Sequence, residues 1–380
     1  MISAANRLNS VQEYYFSKKL REVRELAAAG KPIINMGIGS PDLMPPIKVI
    51  EAIQKSFNDA VAHKYQSYQG LPELRNAIAA FYKYKFNVAT NPVDEILPLM
   101  GSKEGIMHIS MAFLNEGDQV LIPNPGYPTY TSVTKLVGAK PIYYNLYEEN
   151  DWQVNIDELE KLDLSKVKIM WVNYPHMPTG TNALKQTFKD LIAFGKKHQI
   201  LIVNDNPYSF ILNDEPLSIL QVDGAKNIAL ELNSLSKTFN MAGWRVGMLL
   251  GNANFIEQVL KVKSNIDSGM FYGIQKGAIE ALHLPDDWFK NQNKAYEERR
   301  KLIFKIADKL GCTYNKSASG LFVWAKIPNG QAVENFTDNL LYQKHLFIAP
   351  GTVFGSKGEG YIRFSLCVPL KTIKEALNRL

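Results

Sequence analysis

Residues 228–247 read IALELNSLSKTFNMAGWRVG, and the order of residue types in this passage decides the architecture. Ile228 to Leu232 is an apolar run of strand length, too short for a helix. A polar connection carrying Ser234, Lys237 and Arg245 leads from it into a second run, Val246 to Leu250. Two strands joined this way bring all three polar groups close to one edge of a sheet.

Outward from this passage the same kind of run recurs. Glu95 to Leu99, Gln119 to Ile122, Pro141 to Tyr144, Lys168 to Asn173 and Ile200 to Asn204 all have strand length. Between them lie stretches with apolar residues three and four apart, such as Gly105 to Leu114 and Lys185 to His198, which predict helices. The alternation predicts an α/β fold whose large domain holds a mainly parallel, doubly wound sheet. The final hundred residues differ, with a long polar helix around Asp287 to Leu310 and then strand-like GLFVWAKI, LFIAP and YIRFSL, which predict a smaller α+β domain. A chain of 380 residues also exceeds what one core usually supports. The expected division is an N-terminal segment (1–45) packing on the small domain or a partner subunit, a large domain (46–279) and a small C-terminal domain (280–380).

Composition narrows the class. No apolar run approaches the roughly 20 residues a membrane helix needs, and the first residues lack the pattern of a secretory leader, so a cytoplasmic location is expected. Cys312 and Cys367 have no Cys or His at metal-ligand spacing and read as packed thiols, with no metal expected. A net charge of +6 is scattered along the chain without a basic stripe or arm, which argues against a nucleic-acid partner.

Ligands of an open parallel sheet bind beyond the carboxyl ends of its strands, and the unusual residues fall there. After EILPL comes MGSKEG, placing Ser102 and Lys103 at a helix start suited to a phosphate. After QVLI comes PNPGYPTY, which holds Tyr127 in a proline-rich turn, and after KIMWVN comes YPHMPTG. After ILIVN come Asp205 and Tyr208. A carboxylate at the end of a buried strand is costly unless a cation or a protonated ring nitrogen meets it. A lysine, a buried acid, two tyrosines, a phosphate-type turn and an arginine on one edge suit a cofactor with an aldehyde, a ring nitrogen, a phenolic oxygen and a phosphate.

From about Gly37 to the C-terminus the chain resembles the class I aminotransferases among the fold-type I pyridoxal-phosphate enzymes. GIGSPD, YQSYQGLPELR, GSKEG, NPGYPTY, PTG, DNPY, SLSK followed eight residues after its lysine by Arg245, and YIRFS occur in the family's order. The resemblance implies pyridoxal phosphate as cofactor and a homodimer with active sites at the subunit interface. It implies that Lys237 is the Schiff-base lysine and proton carrier, that Asp205 pairs with the pyridine nitrogen, that Tyr208 bonds the phenolic oxygen and that Tyr127 stacks on the ring. Ser102, Lys103, Ser234 and Arg245 would hold the phosphate, with Tyr65 reaching it from the other subunit. Arg363 would grip the substrate α-carboxylate in a fork, helped by the backbone N–H of Gly39.

The chain departs from the family pattern before Pro-Thr-Gly, where Met177 stands in place of an asparagine that donates to the phenolic oxygen. A thioether is no donor, so Tyr208 is expected to keep that contact, with Asn173 or His176 as substitutes. The implied reaction moves an amino group between an L-amino acid and a 2-oxo acid in two half-reactions, with glutamate or aspartate as the favoured donor. LL-diaminopimelate transamination is the rival, and β-elimination from a sulfur amino acid on the same cofactor is a further alternative. A cofactor-binding regulator would need a DNA-binding module, and the two domains leave no length for one.

Overall fold

A computed structural model of the chain describes residues 2–328 and 330–380. Thirteen strands are found among these residues: β1 (Ile34–Asn35), β2 (Ile96–Leu99), β3 (Gln119–Asn124), β4 (Lys140–Asn145), β5 (Val167–Val172), β6 (Leu201–Asp205), β7 (Ala229–Ser234), β8 (Gly247–Gly251), β9 (Thr313–Tyr314), β10 (Phe322–Lys326), β11 (Leu346–Phe347), β12 (Ala349–Pro350) and β13 (Tyr361–Ser365). Seven form one sheet in the order β2-β8-β7-β6-β5-β3-β4. All its strands run parallel except β8, which opposes both neighbours. The doubly wound sheet expected from the sequence is present, with this single reversal.

The reversal positions chemistry. Because β8 runs backwards, it starts where the others end, and Ser234 at the end of β7 faces Gly247 at the start of β8. Arg245, just upstream, therefore joins Ser234 and Lys237 at the carboxyl edge. Several strands also end later than their apolar runs suggest; among them β6 includes Asp205 and β7 includes Asn233 and Ser234. Backbone pairing is indifferent to side-chain polarity, so the ladder continues through polar residues, with Asp205 opposite Leu232. The helix start expected at Ser102 and Lys103 is present, with Gly101 at φ 93° turning the chain into Ser102–Phe113.

A second, antiparallel sheet of order β12-β13-β10-β9 carries Arg363 on β13, between Trp324 of β10 and Ala349 of β12. The long helix expected before it spans Asp286–Lys309. The N-terminal segment is tied to this C-terminal layer, since β1 pairs in parallel with β11 and Lys19 Nζ lies 3.2 Å from Asp338. Helix Tyr15–Ala28 thereby lies with its first turn at the gap between the two sheets. Cys312 and Cys367 are buried free thiols. Among the described residues no helix is long and apolar enough to cross a membrane.

Candidate active site

A cavity of about 520 Å³ opens at the carboxyl edge of the large sheet and is closed from the other side by β10, β13 and the N-terminal segment. Asp205 stands on its floor, 4% exposed. One carboxylate oxygen, Oδ2, accepts a bond of 2.8 Å from the Tyr130 hydroxyl, while Oδ1 is buried with no partner. Burial pushes this carboxyl up to about 7, against the Tyr130 hydrogen bond that favours its charged form. The Tyr130 ring is stacked on Trp171 at 4.9 Å and meets Tyr127 edge-on at 5.5 Å, so the acid's one partner is itself fixed. Asn173 donates to the backbone oxygen of Asp205 and accepts from the Met177 N–H at 2.7 Å, locking the end of β6 to the loop after β5.

Beside Asp205 lies a cradle of donors. Helix Ser102–Phe113 starts without a side-chain cap, leaving its first N–H groups free toward the cavity. The Arg245 guanidinium lies across this start so closely that a Cβ on Gly101 would fall 2.2 Å from Nη2. Arg245 reaches it from a left-handed backbone, φ 56°. Ser234 and Ser236 complete the cradle, their hydroxyl oxygens 2.8 Å apart.

Lys237 extends from the short helix after β7 and donates to the backbone oxygen of Gly39 at 2.5 Å. Burial lowers its pKa, and Arg363 and Arg245 push the same way, which favours the neutral, nucleophilic amine. Arg363 is 4% exposed and has no carboxylate within ion-pair distance among the described residues. Its guanidinium lies between rings, 3.9 Å from the centroid of Phe322 and 4.5 Å from that of Phe354. Nη2 donates to the Gly37 oxygen at 2.8 Å, Nη1 meets only the Met177 sulfur at 3.3 Å, and Nε has no partner. Burial lowers its pKa to about 10, so it stays charged at neutral pH. A buried guanidinium with donors left unmatched suits a carboxylate ligand.

A family model described as aminotransferase class I and II matches residues 31–380. The chain belongs to this family. LL-diaminopimelate aminotransferase of Maridesulfovibrio salexigens is 40% identical over 99% of this chain and 98% of its own length. The enzyme of the same name from Aquifex aeolicus is 38% identical over 100% and 99%. Among solved structures, substrate-bound BacF from Bacillus subtilis superposes with a TM-score of 0.94 at 35% identity, covering 100% of this chain and 97% of BacF. The chain is thus a pyridoxal-phosphate-dependent aminotransferase.

The crevice of this aminotransferase fits that cofactor. The orphan Oδ1 of Asp205 asks for a protonated ring nitrogen, the Gly101–Arg245 cradle for a phosphate, and the lowered Lys237 for an aldehyde. Of the residues singled out in the sequence, Gly39, Ser102, Lys103, Tyr127, Asn173, Asp205, Tyr208, Ser234, Lys237, Arg245 and Arg363 all line the cavity. Tyr65 does not; it is 91% exposed on the outer surface. Of the substitutes considered for the missing asparagine, Asn173 lines the cavity with one amide hydrogen given to the Asp205 backbone oxygen, while His176 Nδ1 pairs with Thr179 and is not among the cavity-lining residues. Lys103 Nζ lies over the Tyr14 ring at 4.9 Å, toward the N-terminal segment.

Sequence reading missed Tyr130, Ser236 and Phe322; Phe16, in an aromatic N-terminal segment read as able to shape the entrance or to pack on the neighbouring domain, lines the cavity. Tyr130 was readable, because it follows Tyr127 by three residues on a helix and so shares its face. Phe322 carried no signal; it matters because its ring occupies the space a side chain at position 39 would need, with a Cβ there 2.2 Å from Cζ.

Away from the crevice, Glu104, His108 and Asp267 bring three ligand-type atoms within 4.8 Å of one another. The buried Lys263 ammonium, 2.9 Å from Asp267, already supplies the cation there.

Proposed function

We propose that this aminotransferase acts on L-amino acids bearing a second, remote carboxylate, with LL-diaminopimelate as principal substrate and glutamate or aspartate serving the other half-reaction. The observation that carries this reading is that Lys103, a second cation without a carboxylate partner among the described residues, lines the same cavity as Arg363. Arg363 lies deep between rings, and Lys103 stands at the N-terminal wall against Tyr14. The names of the curated relatives support the choice of LL-diaminopimelate.

When bound, the cofactor would supply an electron-withdrawing ring that stabilises negative charge at the substrate α-carbon. Asp205 holds a proton at the ring nitrogen through Oδ1, and Tyr208 donates to the phenolic oxygen. Tyr127 packs on the ring, and Ser102, Ser234, Ser236 and Arg245 bind the phosphate. Arg363 orients the α-carboxylate with the Gly39 N–H, and Lys237 Nζ takes the proton from the substrate α-carbon. Lys103, first read as a phosphate ligand, faces the substrate's far end in this account. Ring-lined walls from Phe16, Phe322 and Phe354 exclude water.

The reading includes a cytoplasmic homodimer and the division into segment 1–45, large domain 46–279 and small domain 280–380. The exposed rings of Tyr65, Phe57 and Phe271 stand on adjoining segments, with Gly269 packed on the backbone of Gln66, as a subunit face would require. Tyr65 of the partner subunit would then reach the phosphate. A matrix of amino donors and 2-oxo acids tests the substrate assignment. Turnover of LL-diaminopimelate with 2-oxoglutarate at least tenfold above that of alanine is expected, and an alanine rate equal to it would refute the reading.

A further inference from the structure

The large sheet has a second buried carboxylate that the reaction does not use. Glu231 lies at the middle of β7, fully buried, on the face opposite Asp205 and Ser234. Its Oε1 accepts from the Tyr82 hydroxyl at 3.0 Å, and its Oε2 accepts from the Ile219 N–H at 3.0 Å and the Asn204 amide at 3.3 Å. The polarity of these bonds is fixed by what lies beyond them. Tyr82 already accepts from the Asn233 amide at 3.0 Å, so its own proton goes to Glu231. Asn204 accepts the Tyr174 N–H on its oxygen at 3.2 Å, so its nitrogen faces Glu231. Every group around the carboxylate is thus a donor, which calls for the anion, although burial raises its pKa. Tyr82 is the one titratable group that touches it, and no cation accompanies it among the described residues.

The members of this network are chain neighbours of cavity residues on three adjacent strands. Tyr174 follows Asn173 after β5, Asn204 precedes Asp205 on β6, and Asn233 precedes Ser234 on β7, where its Oδ1 accepts the Ser234 N–H at 2.7 Å. Side chains alternate faces along a strand, so Asp205 and Ser234 each have a network residue, Asn204 and Asn233, on the reverse face of the sheet, and Tyr174 joins through its backbone N–H.

We infer that Glu231 is a positioning residue: it ties the ends of β5, β6 and β7 together from beneath, setting Asp205 against Ser234 and Lys237, and its negative charge favours the cationic form of the cofactor-bound site. The inference rests on the proposed roles of Lys237 and Asp205. The charged groups facing Lys237 directly are Arg363, Arg245 and Asp205, with the Cys367 thiol beside them, and these stay unchanged when Glu231 is altered.

Glu231→Gln keeps size and shape but places an NH2 group against donors and removes the charge. The readouts are the dissociation constant for pyridoxal phosphate and the pH titration of the visible absorbance of the loaded protein. Expected are a weakening of cofactor binding by at least threefold and a fall of the titration midpoint by about half a unit or more, because a lost anion destabilises nearby positive charge. Unchanged affinity and midpoint overturn the inference. If the variant does not fold, Tyr82→Phe decides by the dissociation constant for pyridoxal phosphate with the same threefold threshold, since it removes one donor to Glu231 and leaves Asn233 without its acceptor. A wild-type protein that binds no cofactor would instead refute the functional reading itself.

Discussion

Asp205 and Glu231 are buried acids on neighbouring strands, one on each face of the same sheet, and they are satisfied differently. Glu231 receives donors on both oxygens, whereas Asp205 receives one and leaves Oδ1 bare. Arginines repeat the pattern. Arg299 forks onto Asp42 at 2.6 and 2.9 Å, while Arg363, as deeply buried, meets a carbonyl and a sulfur. Burial therefore does not distinguish functional charge from structural charge. Completeness separates these two pairs: Asp205 and Arg363, which line the cavity, are left short of partners, and Glu231 and Arg299 are not.

The largest expected effect tests the incomplete face. Lys237→Ala should lower turnover by about a thousandfold or more and abolish the visible band of the loaded protein, with folding retained by circular dichroism. Full turnover in that variant would remove the basis for reading the crevice as catalytic.

Asp205→Asn should reduce kcat/KM by roughly a hundredfold or more, yet stabilise the cofactor-free protein. The sign follows from burial. Asp205 holds its proton more tightly folded than unfolded, so folding takes up a proton between the ordinary carboxyl value of 3.8 and about 7. Stability should fall as pH rises through that window and level off above it. Thermal melts of the cofactor-free proteins near pH 8 should place the variant above wild type, and a lower melting temperature would erase the contrast with Glu231.

Arg363→Lys retains charge but loses the fork. A tenfold to hundredfold fall in kcat/KM, roughly one to three kcal/mol, is expected across amino acid substrates alike. The smallest effect should come from Lys103→Met: a several-fold rise in KM for substrates with a remote carboxylate and little change for alanine. Equal rises for both would return Lys103 to the phosphate.

The large sheet was legible because its strands are continuous apolar runs, and the site because its residues cluster just after those runs. The reversed direction of β8 was not legible, since a run such as Val246 to Leu250 reads alike in either direction. Phe322 was hidden for another reason. It reaches the cavity through tertiary packing of the C-terminal sheet, and an aromatic residue in a strand announces only burial. Tyr65 lies outside the cavity of a single chain, so the part proposed for it would depend on a contact between subunits that periodicity does not encode. Met177 was correctly singled out, but its contact with Arg363 needed the loop path set by Asn173.

The backward run of β8 also bears on redesign. Amine, hydroxyl and guanidinium hang on one uninterrupted passage between β7 and β8, so inserting or deleting a residue within it displaces Lys237 and Arg245 relative to each other. A chimera should exchange that passage whole, as a cassette. Added length is better placed at the surface turn Glu148–Asn150, which lies outside the crevice.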